Sequence, residues 1–397
     1  MKKNVKRVLI IFSIVLVVLI VSGTVTVCSL WHNEISTASS FKKLRDRDDA
    51  HKDGALYEMT VKGDYYFSEF IEKGCSTDSE LISFITEHIT KGLIPMKISE
   101  SEIACSAFTA QLENGDYVFG RNYDFDKTNT CIVKTSPKHG YASVSTIDLQ
   151  FLGLDTNCDV KGFMNRVTTL AAPYIPLDGI NEKGVACAIF MSYQGQDKTI
   201  PTNQQTDKPD ITSTTMLRLI LDYASSVEEA VELVKKYDLH DSAQTSYHYM
   251  VADSTGKSAI LEWICGTDKT DNDGSKRELV VTYNDNDAHI GEQEKNATYQ
   301  WVTNFIIQPN YYDSDDEKHG LDRYRIIENL LQQKKGKLED EEAAMNILEH
   351  VGQRYYKENS DGCTVHSIIY NLTKKTSYFI PNEHYSDESA KFYYSVA

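Results

Sequence analysis

The chain has 397 residues, of which 41% are hydrophobic and 25% are charged, values typical of a folded protein with one large domain or two ordinary ones. This composition excludes a disordered chain. The net charge of -17 at neutral pH argues against binding to nucleic acid, and we expect no nucleic-acid partner.

The N-terminus predicts a membrane segment. Four basic residues between positions 2 and 7 precede an uncharged apolar run from Val8 to Val27. This run has about the twenty residues that a helix needs to cross a hydrocarbon core. A cleavable signal peptide is the alternative, but its apolar part is usually about 7 to 15 residues long and is followed by a small-x-small cleavage signal, which we do not find. We therefore predict a signal anchor in residues 1–30, with the remaining chain on the extracytoplasmic side.

Residues 31–104 separate this anchor from the most informative part of the chain. Residues 31–56 are polar and charged, which predicts a stalk. Thr77 and Glu80 form a capping box ahead of an apolar helical face that ends near Gly92.

The stretch from Cys105 to Asp124 predicts a β-hairpin. Strand-forming residues flank Asn114-Gly115, and a two-residue loop there places Cys105 opposite Asp124. Arg121 lies close by, and a cation near a cysteine favours the nucleophilic thiolate. Strand alternation puts Arg121 and Asp124 on opposite faces, so a bulge, a twist or the reach of the arginine has to bring both to one site. The alternative is an ordinary strand with a buried cysteine and surface charges.

The rest of the chain alternates hairpins with pairs of helices, which predicts a mostly antiparallel sheet system covered by helices. A turn at residues 181–184 leads into a strand at 185–191. Helices are predicted at 214–223, 227–237, 322–333 and 340–351. Further strands are predicted at 247–252, 258–263, 279–283, 299–305, 364–372, 376–380 and 391–396.

Other catalytic classes find little support. The chain has no CxxC or HExxH pattern, and in the acidic stretch from Asp268 to Gly274 an EF-hand would need an acidic residue where Lys269 stands. A Gly-x-Ser-x-Gly elbow is also missing. We predict no metal and no cofactor.

Five motifs in a fixed order carry a family resemblance. They are Cys105, Gly120-Arg121-Asn122-Tyr123-Asp124, Asn181-Glu182-Lys183-Gly184-Val185, Val302-Thr303-Asn304-Phe305 and Gly320-Leu321-Asp322-Arg323-Tyr324. In these motifs the chain resembles the linear amide C-N hydrolases, which include choloylglycine hydrolases and penicillin V acylases and are related to acid ceramidase and isopenicillin N acyltransferase. The resemblance implies an α+β N-terminal nucleophile fold for residues 105–397, with two stacked antiparallel sheets in an αββα order.

The same resemblance implies cleavage between Ala104 and Cys105. Cys105 would then be the first residue of the mature chain, and its free α-amino group, with an ordinary pKa of about 7.7 to 8.0, can accept the thiol proton. An amide nitrogen in an uncut chain is no base. Residues 31–104 would form a propeptide or a small subunit.

The resemblance also implies a role for each matched residue. Cys105 attacks the amide carbonyl and carries the acyl group as a thioester, Asp124 holds the new α-amine, and Arg121 lies near the thiol. Asn304 matches an oxyanion donor, and Arg323 matches a further active-site arginine. A second oxyanion donor is expected to be a backbone N–H near Met191.

Together these features predict a membrane-anchored, extracytoplasmic cysteine amidase that hydrolyses a nonpeptide C–N bond in a small N-acyl amide. An acyltransferase that uses an amine acceptor is the alternative within enzymes. A catalytically inactive surface binding domain is the alternative from another class. The acyl group stays open, an anchored enzyme slightly favours lipid-like substrates, and the sequence does not predict the oligomeric state.

Overall fold

A computed structural model of the chain describes residues 2–98, 104–156, 160–195, 199–265, 273–285, 299–356 and 362–396. Among these residues one helix, α1 (Lys2–Leu30), is long and apolar enough to cross a membrane, with a mean hydropathy of 2.4 over Phe12–Leu30. A signal sequence near the N-terminus passes the same test of length and composition. The anchor therefore stays a prediction.

Residues 32–98 form helices and strands that pack into the protein. They are α2 (His32–Ser40), β1 (Lys42–Arg45), β2 (Leu56–Thr60), α3 (Phe67–Lys73) and α4 (Asp78–Ile89). The stalk predicted for residues 31–56 is wrong, because β1 pairs with β2 and the apolar residues Phe41 and Leu56 are buried in the core. One half of the predicted capping box is confirmed, since the Thr77 side chain accepts the Glu80 N–H before α4. The Glu80 carboxylate accepts the Ser76 N–H (2.9 Å) instead of that of Thr77.

Strands dominate the chain from Ala104 onward. The first group is β3 (Ala104–Leu112), β4 (Tyr117–Phe125), β5 (Thr130–Thr135), β6 (Ser143–Asp148), β7 (Asp178–Asn181), β8 (Ala186–Met191) and β9 (Asp210–Thr212). The second group is β10 (Asp238–His240), β11 (Tyr247–Ala252), β12 (Ser258–Ile264), β13 (Glu278–Tyr283), β14 (Gln300–Val302), β15 (Lys337–Leu338), β16 (Cys363–Asn371), β17 (Thr376–Pro381) and β18 (Phe392–Ser395).

Helices interrupt the strands of this part. They are α5 (Phe163–Thr168), α6 (Ser213–Tyr223), α7 (Val227–Val234), α8 (Leu321–Gln333), α9 (Glu341–His350) and α10 (Gln353–Tyr356). Short 3-10 turns cover Leu149–Leu152, Thr169–Tyr174 and Glu388–Ala390. Most predicted elements after residue 181 are confirmed within three residues. The strand predicted at 299–305 ends three residues early, at Val302, so Asn304 lies beyond it.

Two large sheets form within the described residues. The larger sheet has nine strands in the order β1-β2-β5-β6-β7-β8-β11-β12-β13, and the smaller sheet has seven, in the order β14-β3-β4-β16-β17-β18 with β15 beside β3. Most neighbours are antiparallel, as predicted. The exceptions in these sheets are the parallel pairs β2–β5 and β15–β3. Parallel pairing of β2 brings residues from before Cys105 into the larger sheet.

The two sheets stack face to face between two layers of helices. Helices α6 and α7 pack on the larger sheet, and α8 and α9 pack on the smaller one. Between the sheets, Arg121 of β4 forms an ion pair with Asp178 of β7, and neither side chain is exposed. The predicted α+β fold with an αββα order is confirmed, and the nucleophile predicted from the sequence lies in the layer where the two sheets meet.

The hairpin of β3 and β4 has a loop one residue longer than predicted. The Gly115 N–H donates to the Leu112 carbonyl (2.9 Å), and Leu112 and Asp116 close a three-residue loop, Glu113-Asn114-Gly115. Gly115 has a φ of +93°, the left-handed conformation that such loops require and that glycine adopts easily. The predicted pairing of Cys105 with Asp124 is therefore wrong: Ala104 faces Asp124, and Cys105 faces Tyr123.

Candidate active site

The longer hairpin loop changes which side chains share a face with Cys105. With Tyr123 opposite Cys105, and Arg121 opposite Ala107, the side chains of Cys105, Arg121 and Tyr123 lie on one face of the hairpin. That face meets the larger sheet. Arg121 needs no bulge to reach the thiol: its Nη2 donates to Cys105 Sγ over 3.2 Å.

The Cys105 thiol is fully buried in the uncut chain. Burial raises the pKa of the thiol to about 12, and the charges of Arg121 and Arg323 lower it only in part. The thiol is therefore protonated at neutral pH. A nearby arginine is present, as predicted, but it does not by itself produce a thiolate in the uncut chain.

Arg121 is held from the larger sheet by a buried acidic residue that the sequence analysis did not identify. Its Nη1 forms a very short contact with Asp178 Oδ2, and its Nη2 also donates to the Ile189 carbonyl (3.0 Å). Asp178 accepts further hydrogen bonds from Tyr370 Oη and His366 Nε2, the latter at 3.0 Å. Together these partners fix the guanidinium between the sheets.

The pKa values of this group follow from burial and charge. Burial alone would raise the pKa of Asp178, but Arg121 and His366 outweigh it and hold the pKa at about 2. Burial lowers the pKa of His366, which Asp178 opposes. A signal in the sequence was available: Asp178 is an acidic residue that continues the apolar run Ile175-Pro176-Leu177, where a charge needs a buried partner.

The amide nitrogen and the carbonyl of Cys105 are bound by two other predicted residues. The Cys105 N–H donates to Asn304 Oδ1 (3.2 Å), and the Cys105 carbonyl accepts from Arg323 Nη1 (2.9 Å). Arg323 Nη2 donates to Asn304 Oδ1 as well (2.7 Å). Asn304 follows β14 and Arg323 lies in the first turn of α8, so two distant segments meet at the backbone of Cys105.

Asp124 joins the same group through Arg323. One carboxylate oxygen accepts from Arg323 Nη1 (2.9 Å) and from Gln353 Nε2 (3.1 Å), and the other accepts from Thr364 Oγ1 (2.6 Å). Burial raises the pKa of Asp124, although Arg323 lowers it in part. Thr364 pairs with Asp124 beside a bulge in β16, and Gln353 and Thr364 are partners that the sequence analysis missed.

Met191 ends β8 next to Asn304. Its carbonyl accepts from Asn304 Nδ2 (2.9 Å), so the two residues are in direct contact. The next residue, Ser192, donates its N–H to Ser246 in the extension of β11 (2.9 Å). Hydrogen bonds alternate along an antiparallel strand, so the Met191 N–H points away from β11, to the side where Asn304 lies.

A cavity of about 430 Å³ opens onto this group, a volume in the usual range for small-molecule sites. Its walls include Asp124, Met191, Asn304, Arg323, Tyr193 and His319. The buried Cys105 is not part of the wall. All the predicted site residues thus lie together, but in the uncut chain the thiol is closed off from the cavity.

No group of three or more His, Cys, Asp or Glu side chains suited to a metal ion is found among the residues that the structure describes. The acidic stretch Asp268–Gly274, discussed above as a calcium loop, lies mostly outside those residues.

Comparisons with known proteins agree with the resemblance seen in the motifs. Residues 105–268 match the family described as linear amide C-N hydrolases, choloylglycine hydrolase family. The chain is 26% identical over 219 residues to a bile salt hydrolase/transferase of Clostridium perfringens, an alignment that covers 50% of this chain and 55% of that protein. It is 33% identical over 98 residues to a penicillin V acylase of Pectobacterium atrosepticum, covering 22% of this chain and 25% of that protein. The chain thus spans about half of the first relative and a quarter of the second.

Two solved structures align with the chain. The conjugated bile acid hydrolase of Clostridium perfringens aligns with a TM-score of 0.47 at 17% identity, covering 70% of this chain and 89% of that one. An N-acylethanolamine-hydrolyzing acid amidase ortholog of Caenorhabditis elegans aligns with a TM-score of 0.41 at 15% identity, covering 68% and 93%.

Proposed function

We propose that the protein, which resembles the linear amide C-N hydrolases of the choloylglycine hydrolase family, is a membrane-anchored, extracytoplasmic cysteine amidase. It hydrolyses the C–N bond of a small N-acyl amide through a thioester on Cys105. One observation carries the proposal: Arg121 binds the sulfur of Cys105, Asn304 binds its nitrogen, and Arg323 binds its carbonyl. A structural cysteine in a strand needs no such set of partners.

Activity requires cleavage between Ala104 and Cys105. In the uncut chain the nitrogen of Cys105 is an amide, and burial holds the thiol pKa at about 12, so the nucleophile has no base. Cleavage replaces the amide by an α-amine with a pKa of about 7.7 to 8.0, which accepts the thiol proton near neutral pH.

The reaction then has two steps. Cys105 Sγ bonds to the substrate carbonyl carbon while the α-amine takes the thiol proton, and that proton leaves with the amine product as the C–N bond breaks. Water next attacks the thioester carbonyl carbon while the α-amine takes a proton from it. The C–S bond then breaks, the free acid leaves, and the α-amine returns the proton to the sulfur. Asn304 Nδ2 has two hydrogens, one of which binds the Met191 carbonyl. We assign the other hydrogen to the oxyanion.

We expect the segment before the cut to stay bound after cleavage. β2 pairs with β5 along five residue pairs, and Tyr65 Oη donates to the buried Asp222 (2.5 Å). Phe67 and Phe70 pack against Tyr174 with ring centroids 5.9 and 5.7 Å apart. These contacts keep the catalytic part attached to α1, so cleavage activates the enzyme without releasing it from the membrane.

The test uses the full chain in detergent or lipid and a panel of N-acyl amides. We expect a large fragment with the N-terminal sequence Cys-Ser-Ala-Phe, copurification of the smaller fragment, and release of amine by the wild type. Cys105→Ala should stay uncut and inactive. Normal cleavage of Cys105→Ala would contradict self-processing, and a wild type that neither cuts nor releases amine would favour the inactive binding domain.

A hydrolase and an acyltransferase differ in the molecule that accepts the acyl group from the thioester, which is water in the first and an amine in the second. The C. perfringens relative carries both activities in its name. Adding a second amine to the assay distinguishes them, because a transferase forms a new amide and a hydrolase releases free acid. We propose hydrolysis, with water as the acceptor of the acyl group.

A further inference from the structure

Asn304 lies in a segment that has little secondary structure of its own. β14 ends at Val302, and residues 303–308 make only an isolated bridge, between Phe305 and Tyr193. An oxyanion donor has to be held within a few tenths of an ångström of its productive position. Some other part of the molecule must therefore fix this segment.

Two buried ionisable residues of the larger sheet do so. His248 of β11 and Glu262 of β12 are direct cross-strand neighbours, so their side chains share one face of the sheet. Both are fully buried, and His248 Nδ1 lies 3.3 Å from Glu262 Oε1. Neither residue contacts Cys105 in a hydrogen bond of the described chain, and the proposed reaction does not use them.

Both side chains bind the backbone of the 303–308 segment. His248 Nε2 donates to the Thr303 carbonyl (2.8 Å), one residue before Asn304. Glu262 Oε1 accepts the Ile307 N–H (2.9 Å), three residues after Asn304, and Glu262 Oε2 accepts from Gln308 Nε2 (3.1 Å). A carbonyl only accepts, so Nε2 carries the hydrogen of the bond to Thr303.

We propose that His248 and Glu262 are positioning residues that fix Asn304 for the cleavage of the amide bond, an inference that rests on the proposed function. The pair holds the segment on both sides of Asn304. Displacement of a catalytic group by about 1 Å costs on the order of 100-fold in rate, so loss of either anchor should lower kcat. Substrate binding should change little, because neither residue lines the 430 Å³ cavity.

Two substitutions of His248 distinguish the effect of losing the hydrogen bond to Thr303 from the effect of changing the size of a buried side chain. His248→Gln can place an amide N–H near the Nε2 position and should keep kcat within about threefold. His248→Asn is too short to reach Thr303 and should lower kcat about 10- to 100-fold with KM nearly unchanged. His240→Gln is the matched control: His240 binds Asp210 (3.0 Å) and Asn203 (2.9 Å), outside the 303–308 segment, and the change should leave kcat unaltered.

A double-mutant cycle with Asn304→Ala decides whether the effect acts through Asn304. If it does, His248→Asn should cost almost nothing further once Asn304 is alanine. Equal losses in both backgrounds would overturn the inference and leave His248 a structural residue. If His248→Asn does not fold, Gln308→Ala replaces it, because that half-buried side chain can be removed at the edge of the segment and should show the same non-additivity. An inactive wild type would instead contradict the proposed function.

Discussion

The two sides of Cys105 are built differently. Its thiol lies between the sheets against Arg121, which forms an ion pair with Asp178, and neither side chain of that pair is exposed. Its nitrogen and carbonyl lie against Asn304 and Arg323, which reach the wall of the 430 Å³ cavity. The sulfur side is thus complete before cleavage, whereas the amide side is the place where cleavage and substrate binding change the site. The sulfur side should therefore control stability, and the amide side should control rate.

The largest expected effect is on the sulfur side. Asp178→Asn leaves the buried Arg121 charge without its carboxylate partner, and breaking a buried pair in this way typically costs about 3 to 5 kcal/mol in the free energy of unfolding. Denaturant unfolding of Cys105→Ala with and without Asp178→Asn measures this cost on an uncut chain. Glu232→Gln, which removes the exposed pair with Lys235, is the control and should cost less than about 1 kcal/mol. A similar small loss for both would show that the buried pair does not stabilise the fold.

The second largest effect is on the pH dependence of the free energy of unfolding. It distinguishes two aspartates that are buried in different surroundings. Asp178 has a pKa of about 2, below its unfolded value, so it adds stability above about pH 4, and this is lost as the pH falls from about 4 to about 2. Asp148 accepts from neutral donors, including Tyr123 Oη (2.8 Å), and burial raises its pKa to about 6. Protonated Asp148 therefore adds to the free energy of unfolding below about pH 4, and this stability is lost as the pH rises from about 4 to about 6.

Each aspartate should change the free energy of unfolding by about 2 to 3 kcal/mol across its pH window. The free energy of unfolding, measured from pH 2 to 8, gives both windows. Asp148→Asn should remove its own share of the loss between pH 4 and 6 and leave the loss below pH 4. Asp222 and Asp241 should keep the rest of the loss between pH 4 and 6, because burial raises their pKa values to about 6 as well. Asp178→Asn should instead reduce the loss below pH 4. An unchanged profile for either variant would mean that the corresponding carboxyl group does not titrate in that window.

The smallest effect concerns the loop that places Arg121 beside the thiol. A Cβ at position 115 would meet no atom within 4 Å, so Gly115→Ala tests only the left-handed backbone at φ +93°. We expect a loss of about 1 to 2 kcal/mol in the free energy of unfolding. Glu113→Ala, in the same loop, should change it by less than about 0.5 kcal/mol. No loss for Gly115→Ala would indicate that the loop adopts another conformation, and with it another pairing of β3 and β4.

The residues that could be predicted from the sequence are those with local signals. Cys105, Arg121 and Asp124 lie within one hairpin, and Asn304 and Arg323 were found because they stand in motifs with a fixed order. The partners of these residues had no such signal. His366 reaches Asp178 from 188 positions away, and Thr364 reaches Asp124 from 240, so only the stacking of the sheets reveals them.

The errors have physical causes as well. Asn-Gly is typical of a two-residue loop, but here the left-handed glycine follows a turn that begins one residue earlier, at Leu112. The polar composition of residues 31–56 concealed a few buried apolar side chains and a strand whose hydrogen bonds are satisfied by the larger sheet. In both cases the general character of a segment gave a poorer prediction than the positions of one or two of its residues.

The junction between α1 and α2 has a consequence for what an anchored enzyme can reach. α1 ends at Leu30 and α2 begins at His32, so a single residue separates a membrane-length helix from the packed domain. A domain of this size has a radius of gyration of about 20 Å. If α1 is the membrane anchor that we propose, this one-residue link would keep the active site within a layer a few nanometres deep above the bilayer. Its substrates would be molecules that enter that layer, and their encounter rate would depend on diffusion along the membrane surface more than on their concentration in bulk solution.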